Sequence, residues 1–406
     1  MTVRRARVLH VITRLIRGGA DENTVLTVNG LPRDRFRVAL AVGPESDEAM
    51  LGRVASDVEV VRVPDLVRDV HPARDLRALG QLRSLCARAR VDVFHTHVAK
   101  AGILGRAAAD GRVGTVVHTI HGATFHGHQG PLARMLYRAL ERRAARAADR
   151  LIVVGEDLRA RYLAAGVGRP EQYVTIRSGM DVEPFRRAAA LAPGARVALR
   201  RAFGIPEDAF VVTSAARLEP RKGQAFLLEA GRALAQRFTR VRFLMAGEGP
   251  ERAALERLAA AHPALRGRVV FPGYCEDLAP VLGLSDAFCL TSLWEGLPRV
   301  LVQASLAGLP VVTFGVEGAA EVVRNGESGW IVAPRDVPGL TRALETLVWD
   351  PAKARAMGRR GADLVADEWD ARRMVTRIAA VYDELLARRA VPALSALEGV
   401  RTCGGS

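Results

Sequence analysis

Short runs of β-branched and other apolar residues alternate with longer amphipathic stretches along most of the chain. This alternation is typical of a parallel sheet wrapped by helices, because parallel strands need long crossover connections. The clearest helical patterns of the first half cover Asp75–Ala89 and Leu132–Ala148. The predicted strands of that half are Val8–Ile12, Val38–Val42, Val58–Val63, Val93–His95, Val116–Ile120, Leu151–Val154 and Val174–Ile176.

The pattern stops near residue 182 and starts again at residue 210. Prolines and glycines punctuate the basic stretch between Glu183 and Glu207, which is typical of a connection between domains. The strands predicted beyond it are Phe210–Ala215, Arg242–Ala246, Val269–Phe271, Ala287–Leu290, Val311–Phe314 and Trp330–Val332. The fold class is therefore α/β, with two doubly wound Rossmann-like domains that each bind ligands at the carboxyl ends of their strands.

The net charge of +15 would ordinarily suggest nucleic acid or an anionic membrane as a partner. Arginine supplies nearly all of the positive charge, since Lys100, Lys222 and Lys353 are the lysines of the chain. This bias, with abundant Ala and Gly, indicates composition rather than a binding surface. Aromatic residues make up 5%, so we predict no stacking platform and no nucleic-acid partner.

The N-terminus and the cysteines favour a cytoplasmic protein. No apolar run is long enough to cross a bilayer, and Met1–Ile16 lacks a small-residue cleavage pattern. Cys86, Cys275, Cys289 and Cys403 are scattered without metal-binding spacing. This distribution fits a reducing compartment and no structural zinc.

A basic helix is predicted over residues 134–150. Weak peripheral contact with an anionic membrane is one interpretation of it. A solvated helix face is the simpler one, because charge runs usually have that role.

A basic loop, Arg217 to Gly223, follows the strand Phe210–Ala215 directly. A departing diphosphate needs fixed positive charge, because negative charge grows on it as its bond breaks. Arg217 can hold phosphate oxygens with its planar fork, and Lys222 supplies a compact charge. The alternative is a solvated basic turn.

A second motif, Ser292 to Ala304, follows the strand Ala287–Leu290 and is predicted to open a helix, with Pro298 in its first turn. The amides of Gly296 and Leu297 would then form an anion site. Glu295 can accept hydrogen bonds from sugar hydroxyls, and Gln303 can reach a ribose. Alternatively, Glu295 stabilises the helix start and Gln303 caps a neighbouring loop.

Together these motifs resemble a family 4 glycosyltransferase of the GT-B architecture, in which two Rossmann-like domains face each other across a cleft. The resemblance covers nearly the whole chain. Its further motifs are Val8–Ile12 with Gly18–Ala20, His118–Gly122, Ala246–Pro250, Pro272–Tyr274 and Gly308–Val312.

The resemblance implies a division of the chain into five parts. Residues 1–182 form an acceptor-binding domain, 183–209 a linker, and 210–368 a domain for the nucleotide sugar. Residues 369–390, with the predicted helix Ala371–Arg388, cross back to the first domain. Residues 391–406 form a tail that we expect to be mobile.

The resemblance also implies a retaining hexosyltransferase that needs no metal and no cofactor. Arg217, Lys222 and the turn at Gly19 would hold the donor diphosphate, and Glu295 the donor sugar. Gly273 and Tyr274, with Gly247, would meet the nucleoside. UDP-sugars are the expected donors, with GDP- and ADP-sugars not excluded, and the acceptor hydroxyl is unassigned.

Two positions depart from the family pattern. Gln303 replaces the usual ribose-binding glutamate, which lowers donor affinity by about 1 kcal/mol but leaves the chemistry unchanged. Asp21 and Glu22 follow the glycine pair where the family is mostly apolar. They are either acceptor-side groups or helix N-terminal capping residues, and capping is the simpler interpretation.

Histidines crowd two predicted strand ends and the loop after them: His95, His97, His118, His121, His126 and His128. No helical histidine pair or nearby cysteine completes a zinc site, so we predict no metal. His121 matches the family histidine that reaches the donor sugar; a strand-end histidine bonded to backbone is the alternative. His126, His128 and Lys100 are acceptor-side candidates.

Two other functions remain open from the sequence alone. A nucleotide-sugar 2-epimerase shares the two-domain architecture, although the motifs at Arg217 and Glu295 argue against it. A non-catalytic sugar-nucleotide-binding protein is the second alternative.

Overall fold

A computed structural model describes residues 4–109, 111–125 and 129–390 of the 406-residue chain. The chain divides into two compact units. The first unit takes the described residues up to Val153, then Arg161–Ile176, and the C-terminal stretch from Arg372. The second takes Val154–Ala160 and Arg177–Ala371.

The first unit is built on a parallel sheet with the strand order β3-β2-β1-β4-β5-β6-β7. Its strands are β1 Ala6–Ile12, β2 Phe36–Val42, β3 Glu59–Arg62, β4 Val93–His97, β5 Thr115–Ile120, β6 Arg150–Val153 and β7 Tyr173–Thr175. All seven predicted strands are confirmed, and their ends move by no more than two residues. The central strands are almost wholly buried, as expected for a sheet covered on both faces.

Helices connect these strands. They are α1 Gly19–Gly30, α2 Glu48–Leu51, α3 Pro72–Ala89, α4 Ala99–Ala109, α5 Pro131–Ala145 and α6 Glu156–Ala164. Pro72 and Pro131 begin their helices, where a missing N–H costs no hydrogen bond. A fully buried ion pair joins α4 to α5, with Arg106 Nη2 2.7 Å from Glu141 Oε2.

The second unit repeats the design with the order β10-β9-β8-β11-β12-β13, again with every pair parallel. Its strands are β8 Phe210–Ala215, β9 Val241–Ala246, β10 Val269–Gly273, β11 Ala287–Leu290, β12 Val311–Phe314 and β13 Gly329–Val332. All six were predicted. The helices are α7 Glu183–Ala189, α8 Pro193–Ala202, α9 Gln224–Arg237, α10 Arg252–Ala261, α11 Ala279–Gly283, α12 Arg299–Leu306, α13 Val337–Trp349 and α14 Pro351–Val365.

The stretch predicted as the linker 183–209 is mostly helical and belongs to the second unit. Phe185 and Ala188 of α7 are buried in the core of that unit. Arg200 of α8 is also buried, and its Nη2 lies 2.7 Å from Asp286 Oδ2 beside β11. Two of its prolines, Pro184 and Pro193, lie in the first turns of these helices.

A last helix, α15 Ala371–Ala390, packs in the core of the first unit. Its predicted apolar face of Met374, Ile378, Val381 and Leu385 is buried there. The predicted tail 391–406 lies outside the described residues. No helix among residues 4–109, 111–125 and 129–390 has both the length and the apolar character that a membrane span requires.

Candidate functional site

Each sheet reverses its strand order once, between β1 and β4 in the first unit and between β8 and β11 in the second. Loops diverge at such a point and leave a crevice at the carboxyl ends of the strands. The predicted site residues lie at these two places. We describe them as a donor-side cluster in the second unit and a histidine cluster with a neighbouring cavity in the first.

The donor-side cluster joins the two sequence motifs. Because β8 pairs with β11, the loop after each strand meets the other. Lys222 Nζ contacts Glu295 Oε1, and these side chains are only 13% and 10% exposed. Arg221 Nη1 lies 3.6 Å from the other oxygen of Glu295. Arg217 is 70% exposed, and its Nε lies 3.7 Å from Glu219, so its guanidinium can turn towards a ligand.

The position of Lys222 depends on Gly223. This glycine has a φ of +62°, and a Cβ on it would lie 2.4 Å from the carbonyl oxygen of Thr291. The Thr291 hydroxyl donates to Gly223 O at 2.8 Å, and the Leu293 amide donates to Arg221 O at 2.8 Å. These bonds attach the basic loop to the chain that leads to Glu295.

Glycines also bring the ends of β8, β9 and β10 together. Gly247 has a φ of +141°, and a Cβ there would lie 2.0 Å from Ala216 O. Its amide donates to Gly273 O at 2.8 Å. Gly273 has a φ of +85°, and the following Tyr274 exposes its ring. Gly247, Gly273 and Tyr274 therefore lie at the carboxyl ends of β9 and β10, the two strands next in order to β8, which the basic loop follows.

The helix start near Gly296 differs from the prediction. The helix α12 begins at Arg299, and Pro298 is its N-cap rather than a first-turn residue. Gly296 and Leu297 thus precede the helix, because the Leu301 amide already bonds to Pro298 O at 2.9 Å. Their amides are not those of the first helical turn. Gln303 lies on α12 and is half-buried.

In the first unit, Gly19 begins α1 directly after the turn that follows β1. The helix cap is Gly18, and Asp21 lies in the first helical turn, so its role as a capping residue or an acceptor-side group stays a prediction. The Asp21 carboxylate accepts a hydrogen bond from the Ile16 amide at 3.1 Å. Burial raises the pKa of Asp21 to about 6. Glu22 is half-buried on the same turn.

A cavity of about 570 Å³ opens beside this turn. Asp21 lines it, as do Val98 and Lys100 after β4. Val98 has a φ of +57°, an uncommon conformation for a β-branched residue that tends to occur at functional sites. Lys100 Nζ lies 2.7 Å from Asp75 Oδ1, so its charge is paired. Most of the remaining lining is apolar: Ile16, Val70, Ile103, Leu104, Tyr137 and Leu140.

His121 directly follows β5 and is half-buried. Its Nε2 lies 3.1 Å from His97 Nδ1, so its ring contacts a side chain. His126 and His128 lie outside the described residues. Sequence reasoning missed two members of this cluster, His10 of β1 and Tyr382 of α15. An apolar strand that contains a histidine was the available signal for His10, whereas nothing local marked Tyr382.

His10, His95 and His97 are the one group of side chains in the described part of the chain that is close enough to hold a metal ion. Their six ring nitrogens are already bonded to side chains: His10 to His97 and Tyr382, His95 to Tyr382 and Thr119, and His97 to His10 and His121. A metal bound to one nitrogen of each ring would have to replace at least two of these bonds.

Two family models match the chain. Residues 18–179 match the glycosyl transferase 4-like domain, and residues 196–363 match the glycosyl transferases group 1. A similar relative is the UDP-Gal:alpha-D-GlcNAc-diphosphoundecaprenol alpha-1,3-galactosyltransferase of Escherichia coli. The two are 26% identical over 95% of this chain and 98% of that protein.

A GDP-mannose-dependent alpha-(1-6)-phosphatidylinositol monomannoside mannosyltransferase of Mycolicibacterium smegmatis is 32% identical over 66% of this chain and 70% of its own length. Among solved structures, HepE of Anabaena in complex with UDP superposes with a TM-score of 0.78 at 23% identity, covering 94% of this chain and 100% of HepE. WaaG, a glycosyltransferase involved in lipopolysaccharide biosynthesis, gives 0.72 at 18% identity, covering 92% and 99%.

We predict that Gly223→Ala destabilises the second unit more than Gly204→Ala. Both glycines have a φ near +65°, but a Cβ on Gly204 meets nothing within 4 Å. The control change should cost about 1–2 kcal/mol from the left-handed backbone alone. The change at Gly223 adds the clash with Thr291 O. Urea unfolding measures both free energies, and equal losses would contradict the close approach of the two loops.

Proposed function

The chain belongs to the glycosyltransferases of the GT-B fold, of the family 4 type, and we propose that it retains the anomeric configuration of its donor sugar and uses no metal ion. The observation that carries the proposal is the contact between Lys222 and Glu295 at the point where the second sheet reverses its order. It places a fixed cation and a hydrogen-bond acceptor for hydroxyls side by side. The donor is a nucleotide-diphosphate sugar.

Lys222 and Arg217 stabilise the leaving diphosphate. Glu295 holds the Lys222 ammonium in place, so little reorganisation is needed when charge develops on the phosphate. Arg217 is exposed and weakly paired, which leaves its guanidinium available for bidentate contact with phosphate oxygens. The amides of Gly296 and Leu297 add donors before α12. These groups neutralise the negative charge of the diphosphate, as a divalent cation does in other transferases.

The acceptor hydroxyl attacks from the face that the diphosphate leaves, and a phosphate oxygen takes its proton. No side chain then has to act as a strong base. We assign His121 to the reacting sugar. Uridine is our preferred base because the relative that matches over 95% of this chain is named for UDP-Gal.

We further propose that the acceptor is a lipid-linked saccharide. The cavity beside Asp21 offers a largely apolar wall, and the guanidinium groups of Arg14 and Arg68 in its lining can bind phosphate. The same relative is named for a diphosphoundecaprenol acceptor.

The helix α5 supports this proposal with an exposed apolar face. Leu132, Met135 and Leu136 are 75%, 64% and 57% exposed and share one side of the helix. Arg134, Arg142 and Arg143 are exposed on the same helix, which also lines the cavity with Tyr137 and Leu140. Apolar side chains flanked by arginines suit the surface of an anionic membrane. We place the reaction on the cytoplasmic side, where the free thiols of Cys86, Cys275 and Cys289 stay reduced.

Lys222→Ala should lower kcat roughly a hundredfold, because a preorganised charge at the leaving group is lost. Lys353→Ala is the matched control, since Lys353 belongs to the same unit and its Nζ lies over the ring of Trp330 at 5.9 Å. Its kcat should stay at the wild-type value. Rates are measured with the preferred nucleotide sugar, and circular dichroism checks the fold. Near-normal turnover of Lys222→Ala would remove Lys222 from the proposed function.

The stereochemistry of the product tests the mechanism itself. The new linkage should have the anomeric configuration of the donor, as read from its anomeric coupling constant. It should form at an unchanged rate in a metal chelator, because Arg217 and Lys222 neutralise the diphosphate. Inversion would contradict the front-face mechanism. Loss of activity in chelator that magnesium or manganese restores would contradict the assignment of the phosphate-binding groups.

The double variant Leu132→Ser/Met135→Ser should lose most binding to vesicles that contain anionic lipid. The arginines of α5 each contribute about 1 kcal/mol near such a surface, so added salt should weaken wild-type binding. Flotation with anionic and with neutral vesicles measures both effects. Leu258→Ser, on α10, is the control and should bind as the wild type does. Equal binding to both vesicle types, or none, would contradict the membrane proposal.

A further inference from the structure

A continuous hydrogen-bonded chain of side chains crosses the core of the first unit and ends at His121. We call it the histidine chain, and its members in order are Thr119, His95, Tyr382, His10, His97 and His121. The members before His121 are fully or almost fully buried. They come from β1, β4, β5 and α15, so residues far apart in sequence are joined by one series of hydrogen bonds.

The rings nearest to His121 are aligned end to end. His10 Nδ1 lies 2.9 Å from His97 Nε2, and the ring planes differ by 15°. His97 Nδ1 lies 3.1 Å from His121 Nε2, and these planes differ by 29°. The ring centroids are 5.2 Å apart for His10 and His97, and 5.4 Å apart for His97 and His121. Each centroid separation exceeds the corresponding nitrogen–nitrogen distance by about the width of one imidazole ring. Each N–H therefore points straight at the lone pair of the next ring.

This alignment does not suit a shared metal ion. Zinc binds imidazole nitrogen at about 2.0–2.1 Å, so two nitrogens that face each other 2.9 Å apart leave no room for an ion between them. His95 stacks on His97, with centroids 4.3 Å apart, instead of pointing towards it. The arrangement is that of hydrogen-bonded neutral rings.

Burial keeps these rings neutral, because it lowers the pKa of His10 to about 3 and holds the pKa values of His95 and His97 well below their usual range. A neutral imidazole has one N–H and one lone pair. The bonds from His121 to Tyr382 must therefore all run in one direction, and the buried Tyr382 proton has an acceptor among the two histidines only if the bond to His95 continues in that direction. The proton position on His121 is thus linked to that on each earlier member.

We propose that His97, His10 and Tyr382 are positioning residues that hold the His121 ring in one orientation and one tautomer at the end of β5. The proposal rests on the proposed role of His121 at the reacting sugar. A ring with a fixed tautomer presents a defined donor or acceptor to its ligand, and a mixture of tautomers presents the correct one for only part of the time.

Tyr382→Phe tests the proposal, because it removes the one hydroxyl that joins His95 to His10. It alters no atom that is hydrogen-bonded to His121 in the histidine chain. We expect kcat to fall on the order of tenfold or more, with the dissociation constant of the nucleotide diphosphate unchanged. Nitrogen-15 NMR of the histidine rings should show one tautomer for His121 in the wild type and a mixture in the variant. The His121→Ala spectrum assigns the signal.

Tyr173→Phe is the matched control. Tyr173 is also buried in the first unit, and its hydroxyl donates to Val167 O at 2.6 Å, outside the histidine chain. Its kcat and His121 signal should match the wild type. If both tyrosine variants behave alike, or if Tyr382→Phe leaves the His121 tautomer unchanged, the positioning role is wrong. Should Tyr382→Phe not fold, Thr119→Val breaks the far end of the chain with little change in shape.

A double-variant comparison separates this proposal from the proposed function. In the His121→Ala background, Tyr382→Phe should cause no further loss of kcat, because the chain acts through His121. Full turnover of His121→Ala would contradict the proposed role of His121 and the positioning role with it. A stoichiometric metal ion in the purified full chain that is lost in His10→Ala would overturn the hydrogen-bonded chain alone.

Discussion

The donor-side cluster depends on the pairing of β8 with β11. These strands lie about seventy-five residues apart in sequence, yet the register Ala287 to Val212 brings their carboxyl ends together. The basic loop and the strand that leads to Glu295 are then joined by the hydrogen bonds of Thr291 and Leu293. Because the sheet reverses its order at this pair, no crossover fills the space above it. A cation and a carboxylate therefore meet where a ligand can enter.

The first unit has the same arrangement of strands, but its central strands carry buried histidines. Its reversal lies between β1 and β4, and the turn after β1 lines the same cavity as Val98, which follows β4 and has a positive φ. Beneath that surface the strands carry histidines instead of aliphatic residues. Buried imidazoles are costly unless each nitrogen has a partner, and the in-line bonds satisfy that requirement. The buried polar groups of this core thus end in a bond to His121, the half-buried residue that follows β5.

The sequence predicts the strands better than the starts of the helices that follow them. It also predicts Arg217, Lys222 and Glu295 as donor-side residues, and the structure brings Lys222 and Glu295 into contact. The start of α12 was misplaced because Pro298 is compatible with both a cap and a first turn. The linker was misread because prolines begin helices as readily as they interrupt them.

The sequence by itself determined the two parallel sheets, since the alternation of strands and helices is a local pattern that each segment carries alone. It also determined which residues could neutralise a diphosphate. Only the tertiary structure decided the histidine chain, because Tyr382 reaches His95 from a helix 287 residues away. The same holds for the contact of Lys222 with Glu295 and for the cavity beside Asp21. The physical reason is that strand order, which decides which strand ends are neighbours, is a property of the folded sheet and of no single segment.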